Sequence, residues 1–310
     1  MSQQVSAAPA NVRVARSSLN RTRNIYAWIF LVPTLLVVAV VAIYPLAQTF
    51  YLSFTDSRFG QSQVNFVGLD NYVRLTTQDT FFADSVKITV AFTVITVVIE
   101  TILGMIVALV VNSNFKGRGV MRAVMLIPWA VPTVVSTKLW AWMYNDQFGV
   151  FTDILHRLGI VKGNFAFLAT SNGTPFALGI ISAIDIWKTT PFMALLLLAG
   201  LQLIPTDMYE AARVDGANRI QQFFRLTLPL LRPALLVALI LRTLDALRAF
   251  DVFYVLFGNR PDTQSMSVYA QQRLVGGGRE GYGSALCVAI FLIILIFVII
   301  YVTLFRVEEA

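Results

Sequence analysis

The sequence predicts an all-α integral membrane protein of six transmembrane helices, and three observations carry that expectation. Of the 310 residues, 57% are hydrophobic and only 13% charged. A soluble domain carries about 25% charged residues, so this chain lacks the polar surface to cover a globule in water. The mean hydropathy is +0.70. Six apolar runs of 22 to 28 residues recur along the chain, and a helix of ~20 residues crosses a hydrocarbon core of ~30 Å. Helices are the form expected there, because they satisfy their own backbone polar groups in lipid.

Residues 1–25 are polar, small or basic, with Arg13, Arg16, Arg21 and Arg23 and no acid. They read as a disordered cytoplasmic tail. A signal peptide is the competing reading, but the run that follows, Tyr26–Thr49, has 24 residues against 7–15 for a signal-peptide apolar region. It is therefore expected to be a retained first helix, followed by an external loop to residue 85. The core then extends over 86–305, with runs at Ile88–Val111, Ala123–Tyr144, Phe176–Leu203, Ala234–Phe257 and Ser284–Phe305. Residues 306–310 form a short C-terminus. Pro33, Pro45, Pro128, Pro132 and Pro191 fall inside the runs and predict kinks of the kind that membrane bundles tolerate.

Lysine and arginine set the orientation. With the N-terminus inside, the inner segments 1–25, 112–122, 201–232 and 306–310 hold 12 basic residues in 73 positions. The outer segments 51–87, 145–175 and 258–283 hold 8 in 94. The bias places both termini in the cytoplasm. The net charge of +7 is spread over these connecting segments and forms no patch for nucleic acid.

Several kinds of chemistry are excluded. One cysteine, Cys287, and one histidine, His156, allow neither a disulfide framework nor a Cys/His zinc site, and no nucleophile-elbow motif accompanies His156. No Gly-rich loop ending in Gly-Lys-Ser/Thr occurs, so the chain carries no ATPase motif of its own. Gly276, Gly278 and Gly281 fit a G-x-G-x-x-G pattern, but without a preceding buried strand they read as a flexible external loop.

The segment between the fourth and fifth runs, 205–229, has a structure of its own. Thr206 is placed to cap a short helix whose positive end Asp207 favours, and Gly216 to stop it. Pro229 is expected to bias Leu228 out of helix before the chain re-enters the membrane. Ala211 and Ala212 leave room for another protein to approach the backbone. On pattern alone a plain helical connection remains open. The residues Glu210-Ala211-Ala212, Asp215-Gly216-Ala217 and Leu228-Pro229 closely resemble the EAA loop of the permease subunits of binding-protein-dependent ABC importers. Trp187-Lys188-Thr189-Thr190-Pro191-Phe192 and Phe250–Leu256 are similar to its carbohydrate-uptake branch, with the maltose and trehalose type nearest. Phe257-Gly258-Asn259-Arg260 departs from the threonine-glycine-glycine type of turn frequent in that branch.

The resemblance spans roughly residues 86–305. It implies the type I ABC importer permease fold, with the loop as a cytoplasmic coupling helix docked in a groove of the ATPase. It further implies a bacterial inner-membrane protein with three kinds of partner: a second homologous permease, two copies of an ATP-binding subunit, and an extracytoplasmic sugar-binding protein. The chain itself would bind no cofactor, and ATP and Mg would act through the partner ATPase. An ion-coupled secondary transporter and an ABC permease for another solute, such as a glycerol phosphodiester, are the alternatives.

Eight ionisable residues fall inside the runs: Glu100, Lys138, Asp185, Lys188, Arg242, Asp245, Arg248 and Asp251. The four in the fifth run alternate in sign at intervals of three. They cost ~10–14 kcal/mol on insertion scales, against ~4–8 returned by the apolar residues of that run, so this helix belongs in the bundle interior or along a water-filled path. The spacing allows Arg242–Asp245, Asp245–Arg248, Arg248–Asp251 and Asp185–Lys188 to pair. Structural ion pairs and a lining of the path are both open readings. A neutral sugar needs hydrogen-bonding groups and ring platforms. The candidate path residues are therefore Asp185, Trp187, Lys188, Asp245, Arg248, Asp251 and Tyr254, with Trp140 and Trp142 assigned to packing or the interface.

Overall fold

The computed structural model describes residues 16–161 and 165–304. Residues 1–15 of the expected tail, and the 306–310 segment, lie outside the described residues. The chain divides into two units, Met1–Tyr51 and Leu52–Ala310.

In the first unit, α1 (Arg16–Val38) passes through a π-helical turn, Ala39–Ile43, into α2 (Tyr44–Ser53), which continues into the second unit. The helix begins well before Tyr26, which corrects the reading of 16–25 as tail. No glycine or proline occurs between Pro9 and Pro33 to stop it. A proline ring collides with the carbonyl four residues earlier. For Pro45 that carbonyl is Val41, at the centre of the widened turn, which takes up the conflict.

The second unit begins with a connecting segment whose only β contact among the described residues is an isolated bridge, Thr55–Phe66. Short α3 (Asp70–Thr77) precedes α4 (Thr80–Asn112), capped by Asp79, whose side chain accepts from the Phe82 N–H. Next come α5 (Arg118–Met125), α6 (Ile127–Ala130) and α7 (Thr133–Met143). The run Ala123–Tyr144, expected to kink at its prolines, is a bent pair in which Arg118–Ala130 and Thr133–Met143 meet at 86°. Val131 is extended before Pro132, as the residue before a proline prefers to be, and the helix breaks there.

Beyond α8 (Val150–Arg157), α9 (Gly173–Leu201) runs unbroken through Pro191. The coupling segment forms α10 (Thr206–Val214) and α11 (Arg219–Gln222), then a π-helical turn, Phe223–Thr227, leading into α12 (Leu228–Leu247). Leu228 is helical (φ −64°, ψ −43°), contrary to the expectation from Pro229. The carbonyl that Pro229 would strike belongs to Arg225, again at the centre of a π turn. The fifth run then breaks at Arg248–Phe250 before α13 (Asp251–Phe257). The Ser265 hydroxyl takes the Ala249 carbonyl freed there, at 2.7 Å. Short α14 (Met266–Gln271) and a third π turn, Gln272–Gly276, lead to α15 (Glu280–Leu304).

Among the described residues five helices are long and apolar enough to cross a membrane, or six when the bent pair counts as one span. The bundle is built on α4, α9 and α12. Gly104 lets α4 approach α9 so closely that an added Cβ would stand 2.7 Å from Met193. Gly200 does the same for α9 and α12, where a Cβ would stand 2.4 Å from Ala234. Small residues at such crossings let helices pack where lipid supplies no hydrophobic drive. Two apolar clusters result. One gathers Ile88, Phe92, Ile181, Ile184 and Phe253, and the other Met105, Met193, Leu197, Leu201 and Leu231.

The glycine-rich segment is a fastening rather than a flexible loop. Gly278 accepts from the Phe59 N–H at 2.9 Å, and the Gly281 N–H donates to Ser57 at 2.9 Å. The Ser57 hydroxyl donates to Glu280 at 2.6 Å. Gly281 lies so close to the strapped segment that a Cβ would stand 2.1 Å from the Thr55 carbonyl oxygen. Gly281 serves this close approach and Gly278 supplies a φ of +61°, constraints that the phosphate-binding pattern only mimics.

Candidate transport pathway and coupling loop

Between the two apolar clusters lies a charged layer. Arg242 on α12 donates through Nε and Nη2 to both oxygens of Glu100 on α4, the second at 3.0 Å. Its Nη2 also donates to Asp185 on α9. Thr189 Oγ1 completes the group by donating to Glu100 at 2.5 Å. Glu100 is 0% exposed, Arg242 3% and Asp185 9%. Three helices are thus joined through one guanidinium whose planar fork suits two carboxylates. Arg242 was expected to pair with Asp245 on its own helix. The burial of its face between α4 and α9 gives it partners across the bundle instead.

Lys188 likewise departs from the expected pairing with Asp185. Its ammonium donates to the carbonyls of Trp129 at 3.2 Å and Val131 at 2.8 Å, the groups left open where α6 ends at the 86° elbow. A helix terminus leaves its last carbonyls without partners, and Lys188 supplies a cation there. Of the two remaining pairs, Asp245–Arg248 forms at 3.3 Å with both side chains exposed. Arg248–Asp251 does not form among the described residues, because the chain breaks between them.

The seven candidate path residues therefore fall into two groups. Asp185 and Lys188 are buried and committed to the contacts above. Trp187, Asp245, Arg248, Asp251 and Tyr254 remain exposed. Trp187 packs edge-on against Trp140 (centroids 5.4 Å), which stacks in turn on Tyr144 and Phe151. That gives Trp140 the packing role expected of it. Tyr254 stacks on Phe250 at 5.2 Å. The exposed group thus combines ring faces held in place by aromatic neighbours with charged groups at the surface of the chain. Sequence reasoning noted Glu100 as an intramembrane acid but not its role. Its partner lies 142 positions away, and only the packing of three helices brings the two together.

The coupling segment is exposed at the other end of the bundle. α10 starts without a side-chain cap, since Pro205 and not Thr206 occupies the capping position. Asp207 lies in the first turn and Arg213 in the last, each favourable to the helix dipole. Gly216 ends the helix with φ +80°. Its N–H donates to Arg213 at 3.1 Å and that of Ala217 to Ala212 at 2.9 Å, the paired bonds of a Schellman stop. Asn218 then opens α11 with a capping box, exchanging two 2.9 Å bonds with Gln221. The Tyr209 and Thr227 hydroxyls meet at 3.0 Å and tie α10 to the π turn. Glu210, Ala211 and Asp215 are exposed, and Ala212 and Ala217 half-buried. Leu203, Val214, Ile220 and Phe224 are 82%, 88%, 70% and 61% exposed. An uncovered apolar surface of this kind marks an interaction site.

Comparison with known proteins adds four findings. Residues 100–306 match the family described as the binding-protein-dependent transport system inner membrane component. The trehalose/maltose transport system permease protein MalF of Thermococcus litoralis is 46% identical over 282 residues, covering 90% of this chain and 93% of that one. The sulfoquinovosyl glycerol transport system permease protein SmoG of Agrobacterium fabrum is 37% identical over 289 residues, covering 92% of each. A chain from the crystal structure of a bacterial ABC transporter that imports the acidic polysaccharide alginate superposes with a TM-score of 0.81. It covers 94% of this chain and 99% of its own, at 22% identity, a likeness of fold.

Proposed function

Because the chain belongs to the family of binding-protein-dependent transport system inner membrane components, we propose that it forms half of an ATP-driven import path for a neutral di- or oligosaccharide. The observation that carries the cargo is the 46% identity to a trehalose/maltose permease over 90% of the chain. The exposed group of Trp187, Asp245, Arg248, Asp251 and Tyr254 supports it, since aromatic faces stack on sugar rings and charged groups bond hydroxyls. On this reading Asp185 and Lys188 act behind that surface, holding α9, α12 and the elbow in place.

A second, homologous permease completes the path, and both termini lie in the cytoplasm. Two ATP-binding subunits engage the exposed coupling segment with Glu210, Ala211, Ala212, Asp215, Gly216 and Ala217. They bring the ATP and Mg. Closure of the ATPases on ATP would push α10 and α11, and the unbroken run from α11 through the π turn into α12 would carry that push to Arg242 and the charged layer. An external sugar-binding protein delivers cargo at the opposite end.

The test is uptake into proteoliposomes holding the full complex and its binding protein. Labelled trehalose and maltose are each offered, with sulfoquinovosyl glycerol as competitor. Saturable uptake of one disaccharide that requires internal ATP and resists the competitor is the expected result. Uptake driven by an ion gradient without ATP would overturn the reading, and preference for the sulfonate would overturn the neutral cargo.

A further inference from the structure

The end of the bundle opposite the coupling segment holds a group of charges that the transport path does not use. Arg74 on α3, Asp79 before α4, and Arg273 and Arg279 before α15 surround a cavity of ≈220 Å³ that reaches Phe81 and Tyr282. Asp79 does not neutralise these arginines. Its carboxylate accepts from the hydroxyls of Tyr269 and Tyr282 and from the Phe82 N–H, and no ion pair joins it to an arginine among the described residues. Burial works to raise the Asp79 carboxyl, but these hydrogen bonds outweigh it and hold the group below its ordinary value. Burial and the carboxylate beside it push Tyr269 up to about 12, so the phenol stays a donor.

The three guanidiniums have few partners among the described residues. Arg273 donates one bond, to the Tyr269 hydroxyl at 3.0 Å, and lies over that ring. Arg74 lies over the Tyr282 ring at 5.3 Å. The Arg279 side chain has no hydrogen bond or ion pair among the described residues. An arginine offers five donors, so most of those aimed around this cavity are free for a ligand. Nearby acids are already engaged: Glu280 with Ser57, Asp84 with Lys87, Asp262 with Arg260 and Asp56 with Asn65. No carboxylate among the described residues forms an ion pair with these three arginines, so the cavity is open to one supplied by a partner.

Depth decides between a lipid and a protein as its source. Asp84 and Lys87 lie further along α4 toward the membrane and pair as charged groups on its surface, and hydrocarbon excludes such charges, so it starts no higher than Ile88. At 1.5 Å per residue Phe81 stands about 10 Å above that level, while the headgroup layer is only about 5–8 Å thick. The cavity therefore lies at or beyond the outer edge of the headgroups.

We propose that this pocket receives the carboxylate of an Asp or Glu side chain on the external solute-binding protein, with Arg74, Arg273 and Arg279 as the receiving groups. The inference rests on the reading above that the coupling segment faces the cytoplasm. Guanidinium–carboxylate pairing would also steer the approach of the partner, an effect that weakens with salt.

The test measures the ATPase activity of the complex in nanodiscs as the binding protein is titrated, for the parent, Arg74→Ala, Arg279→Ala and Lys87→Ala. Each arginine variant is expected to raise the KM for the binding protein about 10-fold without lowering the maximal rate. The variant that combines Arg74→Ala with Arg279→Ala should lose most of the salt dependence of that KM, and Lys87→Ala should match the parent. An unchanged KM in both arginine variants overturns the proposal. So does an unchanged KM with loss of retained phosphatidylglycerol, which would assign the pocket to lipid. If the parent itself gains no activity from the binding protein, it is the importer reading that fails.

Discussion

Arg242→Ala is expected to destabilise the purified chain by ~3–5 kcal/mol, the largest loss from a single change in the bundle. The substitution leaves Glu100 and Asp185 facing each other in a layer that is 0% and 9% exposed, with no cation between them. Removing one partner of a buried pair leaves the full desolvation cost of the others. The triple variant E100Q/D185N/R242M keeps the volumes and removes the charges, and is expected to recover most of the loss. Thermal unfolding in detergent, read by a fluorescence reporter, measures both. Parental stability in Arg242→Ala would mean that the layer is hydrated and the three helices are held by their apolar clusters alone.

Gly281→Ala is the second large effect, with a loss of ~1–3 kcal/mol. The new methyl would stand 2.1 Å from the Thr55 carbonyl oxygen and 3.1 Å from the Ser57 nitrogen. The obstacle is backbone, which cannot rotate aside as a side chain can. The expected consequence is release of the strap formed by Phe59–Gly278, Gly281–Ser57 and Ser57–Glu280. Gly276→Ala in the same glycine pattern has nothing within 4 Å and should leave the melting temperature unchanged. Equal behaviour of the two variants would show that the segment moves freely, as the sequence pattern alone suggested.

Much of the architecture was legible before the structure because it depends on local chemistry. The spans follow from apolar runs and the coupling segment from Asp207, Gly216 and the alanines around them. The misreadings share one physical origin. Pro45 was expected to kink its helix and Pro229 to turn Leu228 out of helix, yet a π turn before each widens the backbone enough to keep the helix whole. Pro132 does break its helix, and Lys188, from a helix distant in sequence, satisfies the carbonyls it frees. Spacing along α12 suggested that its charges pair with one another. Arg242 turns instead to two other helices, a choice set by which face is buried and invisible to a count of intervals. Gly278 and Gly281 fit a nucleotide motif by letter, while Gly278 answers to a φ of +61° and Gly281 to the Thr55 backbone at contact distance, more than 200 positions away.

The central claim is that this chain is the membrane half of an ATP-driven importer, coupled through the segment around Gly216. Its most direct test is co-purification of an affinity-tagged chain expressed with its operon, beside Gly216→Pro. Gly216 has φ +80° and donates its N–H to Arg213. Proline permits neither, so the stop of α10 is lost while the spans stay intact. If the parent retains an ATP-binding subunit and supports ATP-dependent sugar uptake, and the variant loses both at normal expression, the account holds. A parent that purifies without an ATPase and transports solute in the absence of ATP would contradict it.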